Sequence, residues 1–96
     1  MASRQHAILV IDDEASMREL LEIVLAGDGY AVTGVPDPAA AIQRISNGQT
    51  YDCVITDLRM GNERMAGMEM LAWLQTHKPH LPAIMMTAYG SVETAI

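Results

Sequence analysis

Acidic and hydroxyl side chains stand at the ends of three apolar runs in this 96-residue sequence. The residues at these ends are Asp12 and Asp13, Asp57, and Thr87. Carboxylate oxygens are ligands of hard divalent cations such as Mg²⁺. An Asp carboxylate beside such a cation can attack phosphorus and form an aspartyl phosphate, which a nearby hydroxyl can contact. The residue types therefore suggest a Mg²⁺-dependent site that accepts a phosphoryl group.

Each of these residues also has an ordinary structural explanation. An Asp after a strand is commonly a turn residue, and acids at a helix start favour the positive end of the helix dipole. Thr87 can cap a turn. Taken singly, these explanations are better than a functional one. Only the joint occurrence of the residues favours chemistry.

The apolar runs and the patterns between them predict alternating strands and helices. Strands are predicted at 7–11, 30–35, 53–56 and 83–87. Helices are predicted at 15–26, at 38–46, and from 68 to a point before Pro79. This order predicts a parallel sheet with helices on both faces. The carboxyl ends of its strands meet at one edge, where ligands bind in such folds.

Helix ends and one helix face are predicted in more detail. The apolar face of the first helix comprises Met17, Leu20, Leu21, Val24 and Leu25. Asp37 is expected to cap the second helix, with Pro38 in its first turn and a left-handed Gly48 after its end. A fourth helix is expected to begin at Val92.

Composition limits the classes of function. The net charge of −6 argues against binding nucleic acid or anionic membrane through a basic face, and it suits a cation. No apolar run reaches the roughly 18 residues of a membrane helix, and residues 1–6 lack the apolar stretch of a signal peptide. Cys53 is the only cysteine, which excludes a disulfide framework. We expect one domain over residues 1–96, located in the cytoplasm.

Three segments closely resemble the receiver domain of two-component response regulators. They are Leu-Val-Ile-Asp-Asp-Glu at 9–14, Val-Ile-Thr-Asp-Leu-Arg-Met at 54–60 and Met-Met-Thr-Ala-Tyr-Gly at 85–90. The resemblance extends over the whole chain in the same order and spacing. It implies a flavodoxin-like, doubly wound α/β fold with the strand order 2-1-3-4-5. It also implies a phosphoacceptor signalling domain rather than an enzyme.

The resemblance assigns roles to individual residues. By this resemblance Asp57 is the phosphoacceptor, and Thr87, beside the small Ala88, contacts the phosphoryl group and moves on activation. The implied ligands of Mg²⁺ are Asp12, Asp13, Asp57 and the backbone carbonyl of Arg59. Ser16 and Arg18 are candidates for contact with a sensor histidine kinase, because the first helix faces the kinase in this family.

Two features depart from the family pattern. The segment 61–67 makes the loop about two residues longer than usual, and no proline follows Met60. The family's lysine, fifth strand and fifth helix would come after Ile96. We therefore expect a chain that is incomplete at its C-terminus, that ends at the start of helix 4, and in which strand 5 and helix 5 are absent. An exposed sheet edge would then favour self-association, for example as a homodimer.

The segment 87–96 further resembles receivers of the NtrC type, which control ATPases that activate σ54-dependent transcription. The expected partners are a sensor histidine kinase and an output domain or regulator C-terminal to this chain. Direct contact with nucleic acid or a membrane is not expected.

Two other classes of function stay open. A Mg²⁺-dependent phosphohydrolase with an Asp nucleophile usually carries a second Asp two residues later, and Arg59 occupies that position here. A pseudo-receiver would fold in the same way and act only as an interaction module. The longer loop and the missing lysine favour this third class, whereas the acids and Thr87 disfavour it.

Overall fold

A sheet of five strands forms the centre of the molecule in the computed structural model, which describes residues 5–57, 66–86 and 92–95. The strands are β1 (Ala7–Ile11), β2 (Ala31–Val35), β3 (Cys53–Asp57), β4 (Ala83–Met86) and β5 (Val92–Ala95). They lie in the order β2-β1-β3-β4-β5, and all neighbours are parallel except β4 and β5. The predicted parallel sheet, with its first four strands in the order 2-1-3-4, is confirmed.

Three helices connect the parallel strands. They are α1 (Ala15–Gly27), α2 (Pro38–Ser46) and α3 (Ala66–His77). The Asp37 side chain accepts a hydrogen bond of 2.8 Å from the amide of Ala40, so the predicted cap of α2 is confirmed. Gly48 has a φ of 94° just after α2, which is the left-handed conformation expected there. The third helix begins two residues earlier than predicted.

Side chains from alternate strand positions divide the core into two parts. We call the side covered by α2 and α3 the closed face; its buried residues are Leu9, Ile11, Val35, Ala41, Ile45, Val54, Met70, Leu71, Leu74, Ala83 and Met85. We call the side covered by α1 the open face; its buried residues are Ile8, Val10 and Ile55. Because each parallel strand alternates between these faces, β1 and β3 are buried on both sides.

The helix α1 covers the open face only in part. Leu21 and Leu25 pack on that face, but no residue of α1 is fully buried. Leu20 and Val24 belong to the predicted apolar face, yet they are 53% and 52% exposed. The predicted face was therefore too wide. The side of α1 that carries these two residues points away from the sheet, and no second described helix packs beside it.

The helix predicted to begin at Val92 is wrong. Residues 92–95 form β5, which pairs antiparallel with β4 and places Met86 opposite Val92. Five residues separate β4 from β5. A parallel crossover needs about a dozen or more, so this short connection allows only antiparallel pairing. The strand is thus not the parallel fifth strand of the family order, but it does pair with the edge of β4 that was expected to be exposed.

The longest described helix, α1, has 13 residues. Within residues 5–57, 66–86 and 92–95, the structure contains no helix with the length and apolar character needed to cross a bilayer.

Candidate functional site

The carboxyl ends of β1 and β3 bring two acidic segments together. Asp12 follows the last residue of β1, and Asp57 is the last residue of β3. The two strands are adjacent and parallel, with Ile11 paired to Thr56. The next residues along each strand therefore lie at the same level of the sheet, at the edge that the sequence predicted.

Three carboxylates converge at this edge. Asp12, Asp13 and Asp57 each offer an oxygen, and these oxygens all lie within 4.8 Å of one another. We call these residues the acidic cluster. Asp12 is buried, with 3% exposure, whereas Asp57 is half-buried and Asp13 is exposed. The cluster therefore has a buried base and a side open to solvent.

The backbone and side chain of Asp12 are held by three hydrogen bonds. Its amide donates to the carbonyl of Val35 at 3.1 Å, and its Oδ1 accepts from the amide of Glu14 at 2.9 Å. Its carbonyl oxygen accepts from Nη1 of Arg18 at 2.8 Å. The bond to the amide two residues later is an Asx turn, which is typical of Asp before a helix. The carboxylate of Asp12 is thus fixed in one orientation.

The electrostatics of the cluster favour a cation. Burial raises the pKa of the Asp12 carboxyl above its ordinary value; the hydrogen bond from the Glu14 amide opposes this, and the charges of Asp57, Asp13 and Glu14 raise the pKa further. An ionised Asp12 is therefore destabilised by its surroundings. A bound divalent cation removes that penalty by compensating the negative charges.

The donor set and spacing of the cluster fit Mg²⁺. Oxygen ligands at 2.0–2.1 Å from a Mg²⁺ ion are roughly 3 Å apart when adjacent and roughly 4 Å apart when opposite. Oxygens within 4.8 Å of one another reach this arrangement by small side-chain rotations. The set contains only carboxylate oxygens, which suits Mg²⁺ and not a soft metal.

The two residues predicted to contact a kinase lie on the first turns of α1. Ser16 is exposed, and its hydroxyl donates to Oε1 of Glu14 at 3.3 Å. Arg18 is half-buried, and its guanidinium turns back to the carbonyl of Asp12. The contact of Arg18 with the loop before the helix was not predicted from the sequence. The sequence signal that could have suggested it is a long cationic side chain one turn after an acidic loop.

Three of the predicted site residues lie outside the described residues. These are Arg59, Thr87 and Ala88. The segment 61–65 of the longer loop also lies outside them. In the described part, Asp57 pairs with Met86, which immediately precedes Thr87 in the sequence.

A parallel α/β sheet with acidic side chains gathered at the carboxyl edge of its strands is the arrangement in which such folds bind ligands. The family model of the response regulator receiver domain matches residues 8–96 of this chain. The chain therefore belongs to the response regulator receiver domain family, and it is a receiver domain of the two-component type.

The chain is similar to regulators whose sequences are much longer. Transcriptional regulatory protein ZraR from Klebsiella oxytoca is 36% identical over 96 residues, which covers 100% of this chain and 21% of that protein. Transcriptional regulatory protein GlrR from Escherichia coli is 34% identical with the same coverage. The chain thus spans about a fifth of the length of these curated relatives.

Solved structures show the same fold. The response regulator TrrA from Thermotoga maritima, in complex with Mg²⁺ and BeF, has a TM-score of 0.80 and 33% identity; the match covers 88% of this chain and 71% of TrrA. The same regulator in complex with the histidine kinase ThkA has a TM-score of 0.79 and 31% identity, with 91% and 72% of the two chains covered.

Proposed function

We propose that this receiver domain accepts a phosphoryl group on Asp57 from a phosphohistidine of a sensor histidine kinase. The observation that carries the proposal is the convergence of three carboxylate oxygens within 4.8 Å at the carboxyl edge of the sheet. The complex between TrrA and the kinase ThkA supports this class of donor, because TrrA is 31% identical to this chain.

The transfer is a displacement at phosphorus. A carboxylate oxygen of Asp57 forms the new O–P bond while the P–N bond of the phosphohistidine breaks, and the imidazole nitrogen takes the electron pair. Asp57 is half-buried and ends its strand, so its carboxylate reaches the solvent-exposed side of the acidic cluster. Asp12 is buried beneath this side and is held by its hydrogen bonds. The reacting oxygen is therefore presented by a fixed strand end.

Residues of the cluster would hold the metal ion. We propose Asp12, Asp13, Asp57 and the backbone carbonyl of Arg59 as the protein ligands of Mg²⁺. Three ionised carboxylates carry a formal charge of −3, and a divalent ion reduces it to −1. When bound, Mg²⁺ offsets the repulsion between the carboxylates and the phosphoryl oxygens and stabilises the charge of the transfer.

The consequence of phosphorylation is proposed to be a change after β4. Asp57 pairs with the last residue of β4, so Thr87 and Ala88 follow in sequence from the strand beside the phosphoacceptor. We propose that Thr87 donates a hydrogen bond to the phosphoryl group, next to the small side chain of Ala88, and that this shifts a two-state equilibrium. An output in transcription is supported by the names of two regulators that are similar to this chain, ZraR and GlrR.

The test is a phosphorylation assay with Mg²⁺ and acetyl phosphate, followed by intact mass measurement. We expect a single phosphoryl adduct that is labile to base, lost in Asp57→Asn, and kept in the control Asp28→Asn, because Asp28 is exposed after the end of α1. Beryllium fluoride with Mg²⁺ should protect the domain against unfolding only when Asp57 is present.

The same assay separates the other two classes of function. Multiple turnover of the donor, without an adduct, would show a phosphohydrolase. Absence of both adduct and turnover, in this chain and in a version extended at its C-terminus, would show an interaction module. The extended version is the control for the lysine on the fifth strand that the resemblance to receivers implies.

The kinase is proposed to contact the start of α1. Ser16 is exposed there and is the clearer candidate, whereas Arg18 also bonds to the loop of the acidic cluster. Ser16→Arg should slow transfer from the cognate kinase and leave transfer from acetyl phosphate unchanged. Equal rates with the kinase would contradict this contact.

A sensor histidine kinase as the partner and the lone cysteine also support a cytoplasmic location.

A further inference from the structure

Arg18 reaches from α1 back to the loop that carries the acidic cluster. Its Nη1 donates to the carbonyl oxygen of Asp12 at 2.8 Å, across six positions of sequence. The side chain is half-buried, so the bond is partly shielded from water. A hydrogen bond from a charged donor is stronger than one between neutral groups. This contact therefore restrains the loop between β1 and α1.

The acceptor of this bond is a carbonyl and not a carboxylate. Arg18 bonds to the backbone of Asp12, whereas Oδ1 of the Asp12 carboxylate accepts from the Glu14 amide. Arg18 therefore acts on Asp12 mainly by holding its backbone, and less by neutralising its charge.

The bond fixes the direction of Asp13. The carbonyl of Asp12 and the amide of Asp13 belong to one planar peptide unit, so holding the carbonyl orients the bond that leads to the Cα of Asp13. Asp13 is the exposed member of the cluster, whereas Asp12 is buried. Binding of an ion by Asp13 includes a loss of backbone conformational entropy in the loop that carries it. Restraining its backbone reduces that loss.

A glycine on β2 leaves room for the carboxylate of Glu22, the neighbour of Arg18 on α1. A Cβ atom placed on Gly34 would overlap the carboxylate of Glu22 and would lie 3.5 Å from Cδ of Arg18. Glu22 and Arg18 are one turn apart on α1 and both are half-buried. The absence of a side chain at position 34 therefore lets the Glu22 side chain lie along β2, whereas Arg18 would make only an ordinary van der Waals contact with a Cβ there.

We propose that Arg18 is a positioning residue for the metal site, which sets the affinity of the acidic cluster for Mg²⁺ by fixing the peptide between Asp12 and Asp13. The inference rests on the proposed function, since it takes Asp12 and Asp13 as ligands. A partner of a ligand residue typically changes metal affinity by about 10-fold to 100-fold when it is removed. Arg18 acts here through the backbone of its neighbour.

The sign of the change in affinity separates this role from a simple charge effect. Removing a positive charge near three carboxylates should tighten the binding of a cation by Coulomb's law. Loss of positioning should weaken it instead. We expect Arg18→Gln to weaken Mg²⁺ binding about tenfold, measured by calorimetric titration of the phosphate-free domain. Arg18→Lys keeps a donor of similar reach and should recover most of the affinity.

Two controls isolate the effect. Glu22→Gln changes a charge on the same side of α1 without touching Asp12, and it should leave the Mg²⁺ affinity within about twofold, because Glu22 lies one helical turn further from the acidic cluster than Arg18 and charges at that distance are largely screened. Thermal unfolding of each variant in EDTA, where no metal is bound, checks that the variant is folded. The amide ¹H shift of Glu14 reports the loop, and it should move in Arg18→Gln but not in Glu22→Gln.

Unchanged or tighter Mg²⁺ binding in Arg18→Gln would overturn the positioning role while the proposed function stands, provided that the unsubstituted domain binds Mg²⁺ and forms the Asp57 adduct. Failure of the unsubstituted domain to bind Mg²⁺ would overturn both. Weaker binding in Arg18→Gln that is not recovered by Arg18→Lys would also count against the positioning role, because a lysine of similar reach can donate to the same carbonyl.

Discussion

The two faces of the sheet bury their apolar side chains to different extents. On the closed face, the helices α2 and α3 cover the strands, and Leu74 and Met70 are 2% and 1% exposed. On the open face, α1 is the one described helix, and it contributes only half-buried residues such as Leu25. The strands β1 and β3 are equally apolar on both sides. The difference therefore arises from the helices and not from the strands.

A continuous apolar run thus predicts a strand with two apolar faces. It does not predict how completely helices cover each face. Burial of a side chain requires a second element of matching shape. On the closed face two helices provide it. On the open face the other side of α1 remains in solvent, with Ile23 at 72% exposure. Substitutions of the same kind on each side of the sheet should therefore change the free energy of unfolding by different amounts.

The largest effect is expected on the closed face. Leu74→Ala removes a side chain that is 2% exposed and leaves a cavity among β3, β4 and α3. We expect the free energy of unfolding to fall by about 3 kcal/mol. Urea titration followed by circular dichroism measures it. A loss below about 1 kcal/mol would mean that α3 is not firmly packed on the sheet.

A smaller effect is expected where α1 meets the open face. Leu25→Ala deletes the same atoms from a half-buried position. Because less surface returns to water and water can fill the gap, we expect a loss of about 1 kcal/mol. The ratio to Leu74→Ala, measured under the same conditions, is the informative quantity. Equal losses would remove the distinction between the faces.

The thiol of Cys53 tests access to the open face from solvent. Cys53 is half-buried beside Ile84, and burial raises the pKa of its thiol above the ordinary value. A raised pKa means a smaller thiolate fraction at any pH below it, and the thiolate is the reactive form. We expect labelling by a disulfide reagent at pH 8 to be severalfold slower than in the urea-unfolded chain, and to accelerate as pH rises.

Labelling of Cys53 should nevertheless reach completion without global unfolding. Labelling can occur in the native state or only after global unfolding. Addition of stabilising sodium sulfate distinguishes these two routes, since it slows labelling only when unfolding is required. A rate that tracks the global free energy of unfolding would show that the open face is covered in solution.

The smallest effect is expected on the outer side of α1. Leu20 is 53% exposed, so Leu20→Ala removes little buried surface, and Ala has a slightly higher helix propensity. We expect a change within about 0.5 kcal/mol in the free energy of unfolding. A loss as large as that of Leu25→Ala, and dependent on protein concentration, would show that a second copy of the chain covers this side.

Most elements of the fold follow from local patterns. The β1 and α2 predictions hold because a continuous apolar run and a capped, proline-led helix start determine local backbone conformation. The segment 92–95 contradicts its prediction. Its glycine and serine turn signal fits a helix start, but the free edge of β4 offers a hydrogen-bonding partner, and the pairing outweighs a weak local preference.

The sequence predicted the carboxylates of the candidate site but not the side chain that holds their loop. Asp12, Asp13 and Asp57 stand at strand ends, and parallel pairing alone brings such ends together. The bond from Arg18 to the Asp12 carbonyl depends on the rotation of α1 about its axis. That rotation follows from packing on the sheet, which the local sequence does not specify.

Residue type and periodicity predicted the order of β1 to β4 and of α1 to α3, the strand ends that carry the acids, and the membership of the receiver family. The tertiary structure alone decided that α1 leaves Leu20 and Val24 exposed, that β5 runs antiparallel, and that Arg18 faces the acidic cluster. The physical reason is that a pattern shows which side chains avoid water, whereas only packing shows which element covers them.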